Sequence, residues 1–291
     1  MIIEIVDIQL LALKISRSEN LPVLPTVVVQ ILKLYEDPNI SARSLEHIIE
    51  QDPAMSAKVL RVAGSSMYGL RSVNTVKLAL SVMGMNTLRS IAISLAYQQI
   101  LSGKGLRPAF DHLAFWRHSL AVGIGARGLM RHINVGLDEE MYVAGLMHGI
   151  GILTMDRFAQ PELINAVRAA NINRIPLRQA ELTINGFDHC QVGGILAEKW
   201  KLTPMMTNVI KYYDNPEEDL VTYETTIVAA AANHLAYHCG FPAMPGVPGN
   251  ENGPAYLASL GLEQDKIDAI STQIMVEVDV ADETMGSARA A

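Results

Sequence analysis

Hydrophobic residues recur along this chain at the three-to-four-residue spacing of helices and rarely alternate as they do in strands. Proline, glycine and asparagine interrupt the pattern about every 12 to 20 residues, which is typical of many packed helices. We therefore predict an all-α fold. The predicted helices are residues 1–16, 26–36, 42–50, 53–63, 76–83, 87–101, 111–132, 138–157, 161–170, 176–184, 188–200, 203–213, 219–238, 255–260 and 264–280.

Several of these helices begin with a recognisable start signal. Ser41 and Thr75 stand where a side-chain oxygen can cap the following helix, and Asp52 does so before a proline at the first helical position. Asp188 has the same position ahead of the helix that begins HCQVGG, so we expect it to be a cap rather than a ligand.

Glycine and proline also mark the expected divisions of the chain. Gly103, Gly105 and Pro108 lie within six residues, so we place a lobe boundary near residue 107, between an N-terminal lobe (1–107) and a second lobe (108–291). Residues 240–254 are rich in both residue types and are expected to form a surface loop.

Composition narrows the classes of partner. The chain has 49% hydrophobic and 18% charged residues, and its 23 Lys and Arg against 30 Asp and Glu give a net charge of -7. An acidic chain is a poor candidate for a broad phosphate-binding surface, so nucleic acid is not the expected partner. The positive mean hydropathy of +0.20 indicates apolar surface that a partner or a second copy would cover.

The two cysteines and the apolar N-terminal segment indicate the cellular compartment in which the protein is expected. Cys190 and Cys239 are too far apart for a CxxC knuckle and too few for a disulfide framework, which favours a reducing compartment. The N-terminal apolar run contains Glu4, Asp7 and Lys14 and has no basic start, so it does not resemble a signal peptide. We expect a soluble cytoplasmic protein without a membrane span.

Three of the eight histidines, His118, His148 and His189, lie in apolar helical surroundings. A buried imidazole must be hydrogen-bonded or bind a metal to offset its desolvation. His148 is the most conspicuous, because it stands inside the run EMYVAGLMHGIGILTMD and is followed by Gly149, which has no side chain to offer.

The blocks FWRHSL, GLMHGIG and GFDHCQVGGILAEKW, preceded by LPVLPTVVVQIL, QDPAMSAKVLRVAGSSMYG and VKLALSVMGMNTLRSIA, resemble the HDOD domain. HDOD domains are a signalling branch related to the HD superfamily of metal-dependent phosphohydrolases. The resemblance covers about residues 20–240 and implies a multi-helical HD-like domain with an N-terminal helical lobe and, in this chain, a C-terminal helical extension.

The resemblance also implies where metal ligands would lie. His118 matches the first His of the HD enzymes and His148 the His of their His-Asp doublet, whereas Gly149 stands at the doublet Asp. Asn233 matches the distant Asp. Tyr212 and Tyr213 stand where di-metal relatives have a pair of histidines.

These substitutions leave two interpretations of the histidines open. Hard cations such as Mg²⁺ and Mn²⁺ select carboxylate oxygens, so loss of both carboxylates disfavours them. Three neutral imidazoles, His118, His148 and His189, would still suit Zn²⁺, and Ni, Fe or Mn are the other candidates. In the alternative, His118 and His148 are structural residues hydrogen-bonded to the backbone or to nearby side chains, and no cofactor is bound. The nearby carboxylates that could substitute as ligands are Asp156, Glu181 and Asp188.

Two functional hypotheses follow. The first is a non-catalytic signalling or regulatory module that binds a signalling protein, or a nucleotide second messenger, through its helical platform. The second is a metal-dependent phosphohydrolase that acts on a nucleotide or phosphodiester through the retained histidines.

Overall fold

The structure is a computed structural model that describes residues 7–18, 30–31, 41–65, 73–101, 110–134 and 136–286. Within these ranges all regular structure is helical, which confirms the all-α prediction. The predicted helix 26–36 lies outside the described residues except for residues 30–31, which are helical. The helices are α1 (Ile8–Arg17), α2 (Ala42–Glu50), α3 (Pro53–Ala63), α4 (Val76–Met83), α5 (Met85–Leu101), α6 (His112–Ile133), α7 (Asp138–Met147), α8 (Ile150–Phe158), α9 (Gln160–Asn173), α10 (Leu177–Asn185), α11 (His189–Lys199), α12 (Pro204–Tyr212), η1 (Pro216–Glu218), α13 (Tyr223–His238), α14 (Gly253–Ser259) and α15 (Gln264–Gly286).

The chain forms two compact units, and each unit is built from two separate segments of the sequence. One unit comprises residues 1–21 and 104–274, and the other comprises residues 22–103 and 275–291. One change of unit falls between residues 103 and 104, in the glycine-rich stretch where the sequence analysis places a lobe boundary, and α1 belongs to the larger unit. None of the described helices combines the length and the apolar character needed to cross a bilayer.

Three of the described helices of the smaller unit, α2, α3 and α4, begin at the predicted caps. Ser41 accepts a hydrogen bond from the N–H of Ser44 (3.2 Å), and Thr75 accepts one from the N–H of Leu78 (3.1 Å). The break between helices that was predicted at residues 84–86 consists of Gly84 alone. Its positive φ of +81° ends α4, and α5 begins at the next residue. That backbone conformation is open to glycine and strained for other residues.

The centre of the larger unit is α6, which is buried along nearly all of its length and packs against α7 and α13. Glycines bring the α6 and α7 backbones together. A Cβ at Gly123 would lie 2.9 Å from the carbonyl oxygen of Tyr142, and one at Gly145 would lie 2.9 Å from that of Val122. The close approach aligns His118 on α6 with the end of α7.

A second close approach joins α8 to α11. A Cβ at Gly151 would overlap the carbonyl oxygen of His189 and lie 2.7 Å from the amide nitrogen of Gly193. These contacts explain why glycines stand inside helical sequence, where each costs about 1 kcal/mol of helix propensity relative to alanine. Backbone contact between α8 and α11 also fixes the start of α11, where His189 lies.

The prediction of one continuous helix over residues 138–157 was wrong. The helix breaks at His148 and Gly149, so that α7 ends at Met147 and α8 begins at Ile150. The backbone at Gly149 (φ -88°, ψ 14°) leaves helical geometry, while the His148 ring turns back to the carbonyl oxygen of Gly145. The Phe115 ring packs against Gly149 at the break.

Candidate functional site

His118 lies in the middle of the fold, on α6, with 1% of its surface exposed. Its Nδ1 is 2.8 Å from the carbonyl oxygen of Phe241, and its Nε2 is 3.2 Å from Nε2 of His148. Burial lowers the pKa of His118 to about 4, although contacts with the Phe241 carbonyl and the Asn233 side chain act in the opposite direction. His118 is therefore a neutral imidazole at physiological pH.

His148 is anchored in the same way as its neighbour. Its Nδ1 is 2.6 Å from the carbonyl oxygen of Gly145, and the ring is 2% exposed. Burial, and then the charge on a protonated His118, hold the pKa of His148 well below its ordinary value. His148 is thus also neutral.

The two anchors determine where the ring protons lie. A carbonyl oxygen only accepts, so each Nδ1 carries the hydrogen, and each Nε2 is left with a lone pair. Two lone pairs therefore face each other across the 3.2 Å between His118 and His148. Two neutral rings in these tautomers have no hydrogen bond with each other, and a metal ion between them would stabilise the pair.

The pair fits one face of a metal site. Zinc binds imidazole nitrogen at about 2.0–2.1 Å, so two ligand nitrogens near 3.2 Å apart suit one ion at a near-tetrahedral angle. An Nδ1–H that donates to a backbone carbonyl is the usual outer support of a metal-binding histidine. His118 and His148 both have this support.

At position 149, next to His148, the chain has a glycine and not a carboxylate. Residue 149 has no side chain, and a Cβ there would lie 2.9 Å from Cζ of Phe115. Asn233 lies beside His118 with its side chain in contact with the ring, so its Oδ1 is a neutral candidate ligand. The residues present fit a borderline cation such as Zn²⁺ and do not fit a hard cation that needs carboxylates.

The third predicted histidine, His189, is engaged with other side chains. Its Nδ1 lies 2.5 Å from Oε2 of Glu181, and its Nε2 lies 2.6 Å from the hydroxyl of Tyr213. The Tyr213 ring also packs edge-on against His148, with ring centroids 4.5 Å apart. Among the described residues, no three His, Cys, Asp or Glu side chains converge on a point suited to a metal ion. The three-histidine metal site stays a prediction.

His189 differs from the other two in charge. Burial alone would lower its pKa, but the attraction of Cys190 and of the Glu181 carboxylate outweighs that effect and raises the pKa well above the ordinary value. Burial also raises the pKa of Tyr213 well above its usual range, so its phenol stays protonated. Glu181, His189 and Tyr213 thus form a buried chain of carboxylate, imidazolium and phenol.

A small pocket of about 30 Å³ reaches this region and is lined by His118, His189, Tyr213, Asn233 and Asn250, among others. That volume holds about two water molecules. It is far too small for a nucleotide.

The carboxylates near the site have other partners. Asp188 caps α11 as predicted, in a reciprocal pair with Gln191. Asp156 lies 2.9 Å from Nε2 of His112. Of the three carboxylates considered as substitute ligands, Glu181 forms a hydrogen bond with a candidate histidine, His189.

Two contributors were missed by the sequence analysis. Asp214 lines the pocket, and burial raises the pKa of its carboxyl group. The expectation of a mere surface loop at residues 240–254 was wrong, because Met244 and Val247 are buried and Phe241 anchors His118. Asn250 of the same loop donates to Oδ1 of Asp214 at 2.9 Å. The apolar residues among the glycines and prolines of this segment were the sequence signal that could have predicted its burial.

Comparison with known families identifies the fold. A family model for the HDOD domain matches residues 21–216, more than half of the chain. The chain belongs to the HDOD domain family.

Individual relatives are distant. An uncharacterized protein of Treponema pallidum (strain Nichols) is 23% identical over 210 residues, which are 70% of this chain and 40% of that protein. The chain thus spans less than half of that relative's length.

Two solved structures share the fold. The crystal structure of an HDOD domain protein from Geobacter sulfurreducens matches with a TM-score of 0.81 and 24% identity, over 96% of this chain and 99% of that one. A protein named "Putative phosphohydrolase" from Shewanella amazonensis SB2B matches with a TM-score of 0.70 and 23% identity, over 95% and 97%.

Proposed function

We propose that this HDOD protein is a non-catalytic signalling or regulatory module that acts by binding another protein. The observation that carries the proposal is the missing carboxylate at the His118–His148 pair, where the Phe115 ring packs against Gly149. Metal-dependent phosphoester hydrolysis needs an ion held firmly enough to lower the pKa of a bound water. Two imidazoles and an amide oxygen hold a hard cation poorly.

An exposed apolar turn supports protein binding. Leu220 and Val221 are 93% and 81% exposed, and Tyr223 next to them is 45% exposed. The turn is rigid, because the buried Asp219 carboxylate accepts hydrogen bonds from the N–H groups of Val221 (3.0 Å) and Thr222 (2.9 Å). A rigid turn with apolar tips loses little entropy on docking. A nucleotide second messenger is the less favoured ligand, because the pocket at the histidines is about 30 Å³.

The second candidate function, a metal-dependent phosphohydrolase, is favoured by one observation. The facing Nε2 atoms of His118 and His148, each with its Nδ1 on a carbonyl, are arranged as metal ligands are. The Shewanella protein of the same fold carries the name "Putative phosphohydrolase".

Elemental analysis separates the two functions. Protein purified without chelator is assayed for Zn, Ni, Fe and Mn, and then on a panel of phosphodiesters and nucleotides with added Mn²⁺, Ni²⁺ or Zn²⁺. The proposal expects no turnover at any metal content. Turnover that disappears in His148→Ala and persists in His132→Ala, an exposed histidine outside the site, establishes the hydrolase instead.

Protein binding is tested with a photo-crosslinking residue in place of Val221, compared with the same residue in place of Ile172, which is 73% exposed. We expect a discrete crosslinked product from position 221 and none from position 172. Equal labelling at the two positions contradicts the assignment of the turn.

A further inference from the structure

Two histidines outside the candidate site share one face of α13. His234 and His238 are four residues apart, which places their side chains one above the other on a helix. Their ring centroids are 6.5 Å apart and the ring planes are 31° from parallel. His234 is half-buried and His238 is exposed. Within the described part of the chain, neither ring has a hydrogen-bonding partner.

We propose that His234 and His238 form a binding site for one borderline divalent cation, Zn²⁺, Ni²⁺ or Cu²⁺, separate from the His118–His148 pair. Two imidazoles supply the protein ligands, and water or a ligand from a partner completes the coordination. Imidazole suits these cations, whereas Mg²⁺ and Ca²⁺ prefer oxygen.

The backbone around the pair favours a cation. His238 is the last residue of α13, and the C-terminal end of a helix carries about half a negative charge. His234 is held in place by the start of α14, since a Cβ at Gly253 would lie 2.8 Å from its Nδ1. One ligand is thus positioned in advance while the other is free to adjust.

The required adjustment is small. With Zn–N bonds of about 2.1 Å, two imidazoles bound at a tetrahedral angle have ring centroids about 5.3 Å apart. The observed 6.5 Å must therefore shrink by roughly 1 Å. Rotation of the exposed His238 side chain supplies that movement without disturbing the core.

The neutral form that binds metal is available at physiological pH. Burial, and then the charge on a protonated His238, lower the pKa of His234. This shift supports the site, which stands on the spacing and the free ring nitrogens.

The test uses the metal ions themselves on the full chain. Titration calorimetry with Zn²⁺ and Ni²⁺ compares the wild type with His234→Ala, His238→Ala and the double variant, and with His132→Ala as the matched control. His132 is exposed near the end of α6 and has glycine at both positions four residues away. Linking two ligands on one scaffold tightens binding by about 10²–10⁴-fold, so each single substitution at the pair should weaken binding about 100-fold.

A second readout identifies the ligands directly. Substoichiometric Cu²⁺ broadens the NMR signals of nearby nuclei, so the His234 and His238 ring signals should disappear together, before those of the other six histidines. Adding a large excess of Mg²⁺ should not restore the ring signals that Cu²⁺ has broadened. Each of three results would overturn the proposal: wild-type affinity in His238→Ala, an equal loss in His132→Ala, or parallel broadening of all eight histidines. Metal bound at His118 and His148 would still bind to the variant that lacks both His234 and His238, so the double variant distinguishes the two sites.

Discussion

Replacing Gly151 with alanine tests whether backbone contact between α8 and α11 holds the candidate site together. The new Cβ would overlap the carbonyl oxygen of His189 and lie 2.8 Å from the carbonyl carbon. Non-bonded carbon atoms pack at about 3.5–4.0 Å, so the two helices would have to separate by about 1 Å. Neither partner is a side chain that can rotate away.

The expected cost follows from two opposing effects. Overpacking costs about 1–3 kcal/mol, and contact with rigid backbone places Gly151→Ala at the upper end. The higher helix propensity of alanine stabilises the variant by about 1 kcal/mol, so the net destabilisation is about 2 kcal/mol. The matched control is Gly194→Ala on α11, where the Cβ would meet the flexible Lys211 side chain at 3.2 Å. Gly194→Ala should stabilise the protein by up to about 1 kcal/mol.

Urea unfolding followed by tryptophan fluorescence is a suitable assay, because both tryptophans, Trp116 and Trp200, lie in the larger unit. With a slope of about 2 kcal/mol per molar urea, Gly151→Ala should lower the midpoint by about 1 M, while Gly194→Ala leaves it equal or higher. A Gly151→Ala protein as stable as the wild type would refute the close approach of α8 and α11.

Three further predictions use the same assay. Tyr213→Phe should cost about 1–2 kcal/mol, because Nε2 of buried His189 loses its 2.6 Å partner, whereas Tyr223→Phe on the surface should change nothing. Asp219→Ala should cost about 3 kcal/mol by removing a buried acceptor shared by five donors, and exposed Glu224→Ala is its control. In metal-free protein the pKa of His118 is about 4 when folded and about 6.5 when unfolded, so the unfolded state binds more protons. The contribution of His118 to stability should therefore fall by about 3 kcal/mol as the pH drops from 6.5 to 4, and His118→Asn should reduce the pH dependence to the part that buried His148 contributes.

Local signals in the sequence were sufficient for most of the fold. Helix starts at Ser41, Asp52, Thr75 and Asp188 depend on a side-chain oxygen next to an amphipathic segment, and each cap forms as predicted. These interactions span three residues at most, so neighbouring sequence contains the necessary information. Boundaries between helices were therefore predicted to within a few residues.

Non-local contacts account for what was missed. The break at His148 and Gly149 depends on Phe115, more than thirty residues earlier, and on a histidine ring that bonds back to Gly145. Helical periodicity continues through this point, so no pattern in the sequence marks the break. The Phe241 carbonyl that anchors His118 is 123 residues away and belongs to a segment expected to be only a loop.

Partner identity, rather than residue type, decides what each of the three histidines can do. His118 and His148 face carbonyl oxygens through Nδ1 and therefore present lone pairs, whereas His189 meets Glu181 and Tyr213 and presents none. A buried imidazole whose Nδ1 donates to a carbonyl oxygen keeps an Nε2 lone pair that can bind a cation, whereas one between a carboxylate and a phenol is part of a hydrogen-bonded network. The Tyr213 hydroxyl, 2.6 Å from Nε2 of His189, occupies the ring nitrogen that would otherwise be open to a metal ion. Tyr213→Phe, which removes the hydroxyl and keeps the ring, would therefore free Nε2 of His189 while Nδ1 stays with Glu181.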